Sequence, residues 1–288
     1  MRRRRKTVKN RRLLISSDVH LCRFNWYGPT SEERLCKMAG DMSAHFEKRP
    51  FGKIVFLGDY SLDFWGCNEG GSVINEGKSN TGRFIKTIVP KLPVDCYMMP
   101  GNHEQYGNEN FKRLVGHDRE DAFVYGGYLF VMCDNFSGLL DPKVHSDGIY
   151  TPTNIGFVKK QLEENKDLPV ILCAHFFDLS AEPAGFFELL NDEKRITALF
   201  CGHDHHAKVT RIDLKDGDVP LCTVGNYSYD RDGESPYELM WGFTDVTLCD
   251  DGIKTVYIEP EADIVIENKP YHHEYREQNV NFFKRRDT

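Results

Sequence analysis

The sequence predicts an α/β domain, and three observations predict it. Apolar runs of strand length recur along the chain, amphipathic helical stretches separate several of them, and no linker rich in Pro, Gly and Ser divides the 288 residues into halves. Strands are expected at 13–16, 54–57, 94–99, 128–133, 170–174, 198–201, 208–212, 221–224, 243–248 and 254–258. Helices are expected over 31–49, 81–89 and 153–165. In the last of these Ile155, Val158 and Leu162 share one face, and Thr153 or Asn154 can cap its start. The stretch 66–82, rich in Gly, Asn, Ser and Glu, reads as a long loop of the kind that serves an active site.

Composition narrows the class. Forty per cent hydrophobic residues suffice for a sizeable core, and no apolar run reaches the roughly 18 residues of a membrane-spanning helix. The opening MRRRRKTVKNRR has the charge of a signal peptide, but only Leu13, Leu14 and Ile15 follow before polar residues, too few for its apolar segment. Nine cysteines form no CxxC pair, and Cys96, Cys133, Cys173, Cys201 and Cys222 lie in or beside strand-like runs. They read as buried thiols of a reducing, cytoplasmic compartment. Eight basic side chains stand in the first twelve residues of a chain whose formal net charge is −7, so a basic arm (1–12) precedes one acidic domain (13–288). Such an arm can touch nucleic acid or an acidic membrane but is expected to be a solvated tail, and the acidic body argues against a broad polyphosphate-binding face.

The chemistry lies where the strands stop. After the first comes Asp18-Val19-His20, after the second Gly58-Asp59, and after the third Gly101-Asn102-His103-Glu104. The run 170–174 leads into His175, and 198–201 into Gly202-His203-Asp204-His205. The carboxyl ends of strands are where open α/β sheets bind ligands, so five loops can converge on one site. Each fragment alone is weak: Gly-Asp usually marks a turn, and a lone strand-end histidine is commonly a satisfied core residue. Together, Asp18, Asp59, Asn102, His20, His175, His203 and His205 offer carboxylate, amide and imidazole donors without a thiolate. That set suits Zn, Fe, Mn or Ni. Seven donors exceed one ion's needs and, with one carboxylate shared, fill two.

This ordered series resembles the calcineurin-like metallophosphoesterases over about residues 13 to 226. The resemblance implies a four-layer α/β/β/α sandwich. It implies a first metal ion held by Asp18, His20, Asp59 and His205, and a second held by Asp59, Asn102, His175 and His203. It implies two divalent or mixed-valence transition-metal ions whose bridging hydroxide attacks phosphorus in line, with His103 protonating or stabilising the leaving oxygen.

The departures from the family are informative. Its protein serine/threonine phosphatases place Asp-Arg-Gly after Gly-Asp and an arginine before Gly-Asn-His-Glu; here Leu62-Asp63-Phe64 and Pro100 stand there. Purple acid phosphatases carry a tyrosine three residues after the shared Asp, where this chain has Leu62, with Tyr60 out of register. Many relatives use an Asp at that place to orient the catalytic histidine; Leu62 cannot do so, and Asp63, one residue later, either reaches the histidine or leaves it without such a partner. Tyr227 and Ser228 follow the last motif and either line the pocket or close a turn. Trp26, Tyr27, Phe64 and Trp65 either stack on a substrate or pack beneath loops. His45, His117, His145, His206, His272 and His273 read as exposed bystanders.

The expected function is hydrolysis of a small phosphate ester, a monoester or a cyclic nucleotide diester. The alternatives are a nuclease, for which the arm supplies attraction to the backbone, and a binding protein that kept the fold without turnover.

Overall fold

The computed structural model describes residues 11–22, 29–63, 79–140, 147–228, 241–266 and 269–287. Trp26, Tyr27, Phe64, Trp65, His145, most of the basic arm and most of the expected 66–82 loop lie outside the described residues.

Two six-stranded mixed sheets carry the fold. In the first, β1 (Arg12–Ser16), β2 (Ile54–Leu57) and β3 (Cys96–Met99) run parallel, and β10 (Phe243–Leu248), β11 (Gly252–Glu259) and β14 (Arg276–Lys284) continue it antiparallel in the order β14-β11-β10-β1-β2-β3. In the second, the order is β4-β5-β6-β7-β9-β8. There β5 (Tyr128–Cys133), β6 (Val170–Ala174), β7 (Ile196–Cys201) and β9 (Gly217–Thr223) are parallel, and β4 (Asp121–Tyr125) and β8 (Lys208–Leu214) are antiparallel edges. A separate hairpin joins β12 (Ala262–Ile266) to β13 (Lys269–His273).

Strand side chains alternate between faces, and this builds the layers. Leu13, Ile15, Val55 and Leu57 of one sheet pack on Phe130, Met132, Ile171 and Phe200 of the other, so the sheets lie face to face. Their neighbours Leu14, Ile54 and Phe56 point outward onto Leu35, Met38 and Met42 of α1 (Ser31–Lys48). On the far side Leu129, Val131, Val170 and Leu172 meet Val158 and Leu162 of α4 (Ile155–Glu164) and Leu189 and Leu190 of α5 (Ala184–Asp192). The expected α/β/β/α sandwich is the observed one.

Local signals set the helix starts. Thr30 and Glu33 form a reciprocal capping box on α1, and the Asn154 side chain accepts from Phe157 N to begin α4. The expected helix 81–89 is only partly α-helical. α2 (Asn80–Arg83) passes into a π-turn (Phe84–Ile88) and a 3₁₀ turn (Val89–Lys91) at Pro90, whose missing N–H cannot continue an α-helix. Its first turn starts inside the expected 66–82 loop because Asp63 accepts from Asn80 N at 2.6 Å and Thr81 N at 3.0 Å. A further helix, α3 (Asn108–Val115), follows β3. Of the thiols expected to be buried, Cys133, Cys173, Cys201 and Cys222 are, whereas Cys96, at the half-buried start of β3, is not fully so. Among the described residues no helix is long and apolar enough to cross a membrane.

Candidate metal centre

Five of the parallel strands, β1, β2, β3, β6 and β7, deliver a site residue at their carboxyl ends. Asp18 and His20 follow β1, Asp59 follows β2, Asn102 and His103 follow β3, His175 follows β6, and His203 and His205 follow β7. The turn after β9 closes the group from the side. The backbone marks the same positions. Six non-glycine residues among those described have positive φ, and five of them are Asp18, His20, Asp59, His203 and His205, at 49° to 69°. Asp and His tolerate this left-handed region better than most residues, yet each such position still costs about 1–3 kcal/mol, and clustered strain of that kind is a feature of functional sites.

Two glycines of the motifs have a steric role. A Cβ at Gly101 would stand 2.1 Å from Asp59 Oδ1, and one at Gly202 would stand 1.9 Å from Ser17 Oγ and 2.6 Å from Asp18 Oδ2. The loops can meet around the two carboxylates only because neither position has a side chain.

The resulting geometry centres on Asp59. Its Oδ2 lies 3.3 Å from His175 Nε2, 3.6 Å from His20 Nε2 and 3.7 Å from His103 Nε2. Asp18 Oδ1 lies 3.4 Å from His205 Nε2 and 3.9 Å from His20 Nε2. Asn102 Oδ1 is 2.8 Å from His175 Nε2 and 3.1 Å from His203 Nδ1. Asp18, His20 and His205 form one cluster compatible with an ion, and Asp59, His175 and His203 another. A third, of His20, Asp59 and His103, overlaps both. The donors fit metal ions on a further ground. Asp18 Oδ1 and His20 Nε2 are buried without a hydrogen-bond partner, a costly arrangement for polar atoms unless a cation takes their lone pairs.

Surrounding groups fix the donors. His175 Nδ1 donates to Leu57 O at 2.7 Å, and His20 Nδ1 lies 2.8 Å from Ser228 Oγ, so each ring turns Nε2 inward. His203 N donates to Asp18 Oδ2 at 2.8 Å and His103 N to Asp59 Oδ1 at 3.0 Å. Glu104, fully buried, ties two loops together by accepting from Asp59 N, Gly101 N and Ser61 N at 2.8 to 2.9 Å. Burial and then the nearby charge of Asp59 push its carboxyl up to about 8. Arg119 holds the same loop, donating to Glu104 O and Tyr106 O while paired with Asp134 at 2.6 Å.

The electrostatics are those of a site with negative charge at its centre. Burial raises both aspartates, but His175 with His205 holds Asp18 below the usual carboxylate range, and His175 with His103 does the same for Asp59. Burial disfavours the His175 cation, but Asp59 and Asp18 outweigh it and raise this imidazole to about 10. Burial lowers His20 to about 4. A cation held here would compete with a proton for the His175 Nε2 lone pair.

The remaining expected positions divide. Asp63 does not orient His103, because its oxygens are taken by Asn80 N, Thr81 N, Thr81 Oγ1 and Tyr106 OH, while His103 Nδ1 is buried without a partner. Tyr227 is a core residue whose hydroxyl reaches Asp41, whereas Ser228 touches the site. His45 and His273 are buried at 3% and 9% exposure, not exposed as expected, and His45 pairs with Asp245 at 3.0 Å. Sequence reasoning missed Phe136 and Phe176, whose rings lie 6.1 Å and 4.6 Å from that of His203. The available signal was positional, since Phe136 follows β5 at the same sheet edge and Phe176 directly follows His175.

Residues 11–207 match the family model of the calcineurin-like phosphoesterases. The chain belongs to this family. Among individual phosphoesterases, it is 27% identical over 157 residues to the probable glycerophosphodiester phosphodiesterase GpdQ of Arcobacter nitrofigilis. That match takes in 49% of this chain and 56% of the relative, so the chain spans little more than half of that protein's length. Two solved structures share the fold at low identity. GAP50, the anchor in the inner membrane complex of Plasmodium, superimposes with a TM-score of 0.53 at 15% identity, covering 95% of this chain and 90% of that one. The purple acid phosphatase PPD1 of yellow lupin does so with a TM-score of 0.52 at 14% identity, covering 93% and 53%.

Proposed function

We propose that this calcineurin-like phosphoesterase hydrolyses a small phosphodiester with two transition-metal ions, of Mn, Fe, Zn or Ni. One is held by Asp18, His20, Asp59 and His205, the other by Asp59, Asn102, His175 and His203. The observation that carries the reading is the position of Asp59 Oδ2, within 3.6 Å of imidazole nitrogens belonging to both sets. When bound, the ions supply an acidified water as nucleophile and positive charge for the phosphoryl oxygens. The chain's own residues do the rest. Asp18 and Asp59 contribute the negative charge that retains the ions, and Glu104 keeps the Asp59 and Asn102 loops in register. His103 carries the proton given to the departing oxygen.

A diester is favoured over a monoester by the likeness to a probable glycerophosphodiester phosphodiesterase. The test is a substrate panel for the Mn-loaded protein: bis(4-nitrophenyl) phosphate, 4-nitrophenyl phosphate, a cyclic nucleotide, glycerophosphodiesters and single-stranded DNA. Faster turnover of the small diesters than of the monoester, abolished by a chelator, is expected. Preference for the monoester or for DNA would replace the substrate assignment, and a protein that holds its ions yet turns over nothing would be a binding protein.

A further inference from the structure

The turn after β9, Gly225 to Ser228, is joined to the site at two points, and both belong to the same ion. We infer that Ser228 is a positioning residue for the first metal ion, acting through His20; the inference rests on the two-ion reading above. His20 has one ring nitrogen 2.8 Å from Ser228 Oγ. The other, Nε2, is buried with no hydrogen-bond partner and faces Asp59 Oδ2 at 3.6 Å and Asp18 Oδ1 at 3.9 Å. A neutral imidazole carries one proton. Placed on Nδ1 and donated to the serine hydroxyl, it leaves the Nε2 lone pair directed at the carboxylates, where a cation is held.

The hydroxyl is itself held in place. Ser228 is 7% exposed; its N–H donates to Asn226 Oδ1 at 2.7 Å, and its carbonyl accepts from Trp241 Nε1 at 2.9 Å. Tyr227 between them is fully buried, stacked on Trp241 and Phe243, and its hydroxyl donates to Asp41 of α1 at 3.1 Å. The turn is thus anchored in the outer helix layer, and Ser228 Oγ has little freedom to leave His20.

The second point is Asn226, whose Nδ2 donates to the carbonyl of His205, the other imidazole of the first ion. The second ion's imidazoles do not lean on this turn: His175 Nδ1 donates to the main-chain carbonyl of Leu57, and the His203 amide donates to Asp18 Oδ2. Loss of the Ser228 hydroxyl should therefore weaken one ion and spare the other. A residue that merely stabilised the fold would not produce this asymmetry.

The experiment titrates metal-free wild type, Ser228→Ala and Ser228→Thr with Zn²⁺ in competition with a chromophoric chelator, and records the Co²⁺ absorption bands of each. Ser228→Ala should weaken one of the two ions by about 10- to 100-fold, leave the other unchanged, and alter the Co²⁺ bands of one site only. Ser228→Thr, which keeps the hydroxyl, should restore the wild-type affinities. In Zn-loaded wild type, long-range ¹H–¹⁵N correlation should place the His20 proton on Nδ1, a reading that requires no variant to fold. A proton on Nε2, unchanged affinities in Ser228→Ala, or equal weakening of both ions overturns the inference. Failure of the two-ion reading would show differently, as wild type binding fewer than two ions.

Discussion

Replacing Asp59 with Ala is expected to remove both metal ions and to lower kcat/KM by about 10³-fold or more, the loss that follows when several kcal/mol of charge stabilisation disappear. No other donor stands where Asp59 does. One of its oxygens lies within 3.7 Å of His20, His103 and His175, and the other accepts the His103 amide at 3.0 Å. Asp18→Ala and His205→Ala should each cost one ion, because Asp18 Oδ1 lies nearest His205 Nε2, at 3.4 Å, and farther, at 3.9 Å, from His175 Nε2. Metal content and kcat/KM of the three variants, prepared identically, check the ranking. If Asp59→Ala retained an ion at full affinity, the carboxylate would not be shared.

His103→Ala should separate binding from turnover. Both ions stay, while the rate on an alkyl phosphodiester falls by about 10²- to 10⁴-fold, the usual range for a positioned acid. The loss should be smaller on a nitrophenyl ester, whose leaving group departs without a proton. The separation is a demanding one, because His103 Nε2 is 3.7 Å from Asp59 Oδ2, nearly the distance of His20 Nε2. Loss of an ion in His103→Ala would make this residue a ligand. Equal rate losses on both esters, with the ions intact, would make it a stabiliser of the phosphoryl group.

The parts of the fold legible in sequence are those governed by burial. The strands at the centre of both sheets are continuous apolar runs, because β2, β5, β6 and β7 are buried along their whole length. What escaped detection is exposed or short. In α3 only Phe111 is buried, and the apolar stripe it forms with Leu114 and Val115 is confined to eight mostly polar residues, too short to stand out in sequence. Most of β14 is exposed, with Phe283 its one buried apolar residue, and its pairing comes from β11, not from any pattern of its own. α5 has its apolar residues at helical spacing, Phe186, Leu189 and Leu190, but the nine-residue segment follows Pro183 and contains Gly185, both of which signal a break.

The site was legible for a different reason. Its residues are polar groups set at the ends of apolar runs, where nothing in the core calls for them, and the structure brings all eight together at the carboxyl ends of strands from both sheets. Their supporting shell was not legible in the same way. The contacts of Glu104 with Asp59 N, of Ser228 with His20 and of Phe176 with His203 join residues from different loops, and no local pattern announces such pairs. The reach of Asp63 was the clearest case. One residue out of register, it caps α2 and leaves His103 Nδ1 unpartnered.

The central claim is that one carboxylate, Asp59, joins two metal positions in a single site. Anomalous diffraction from Mn- or Zn-loaded crystals, together with metal analysis of the same protein, tests it most directly. Two ions per chain are expected, about 3.5 to 4 Å apart, with Asp59 touching both. A single ion, or two that do not share Asp59, would contradict the account.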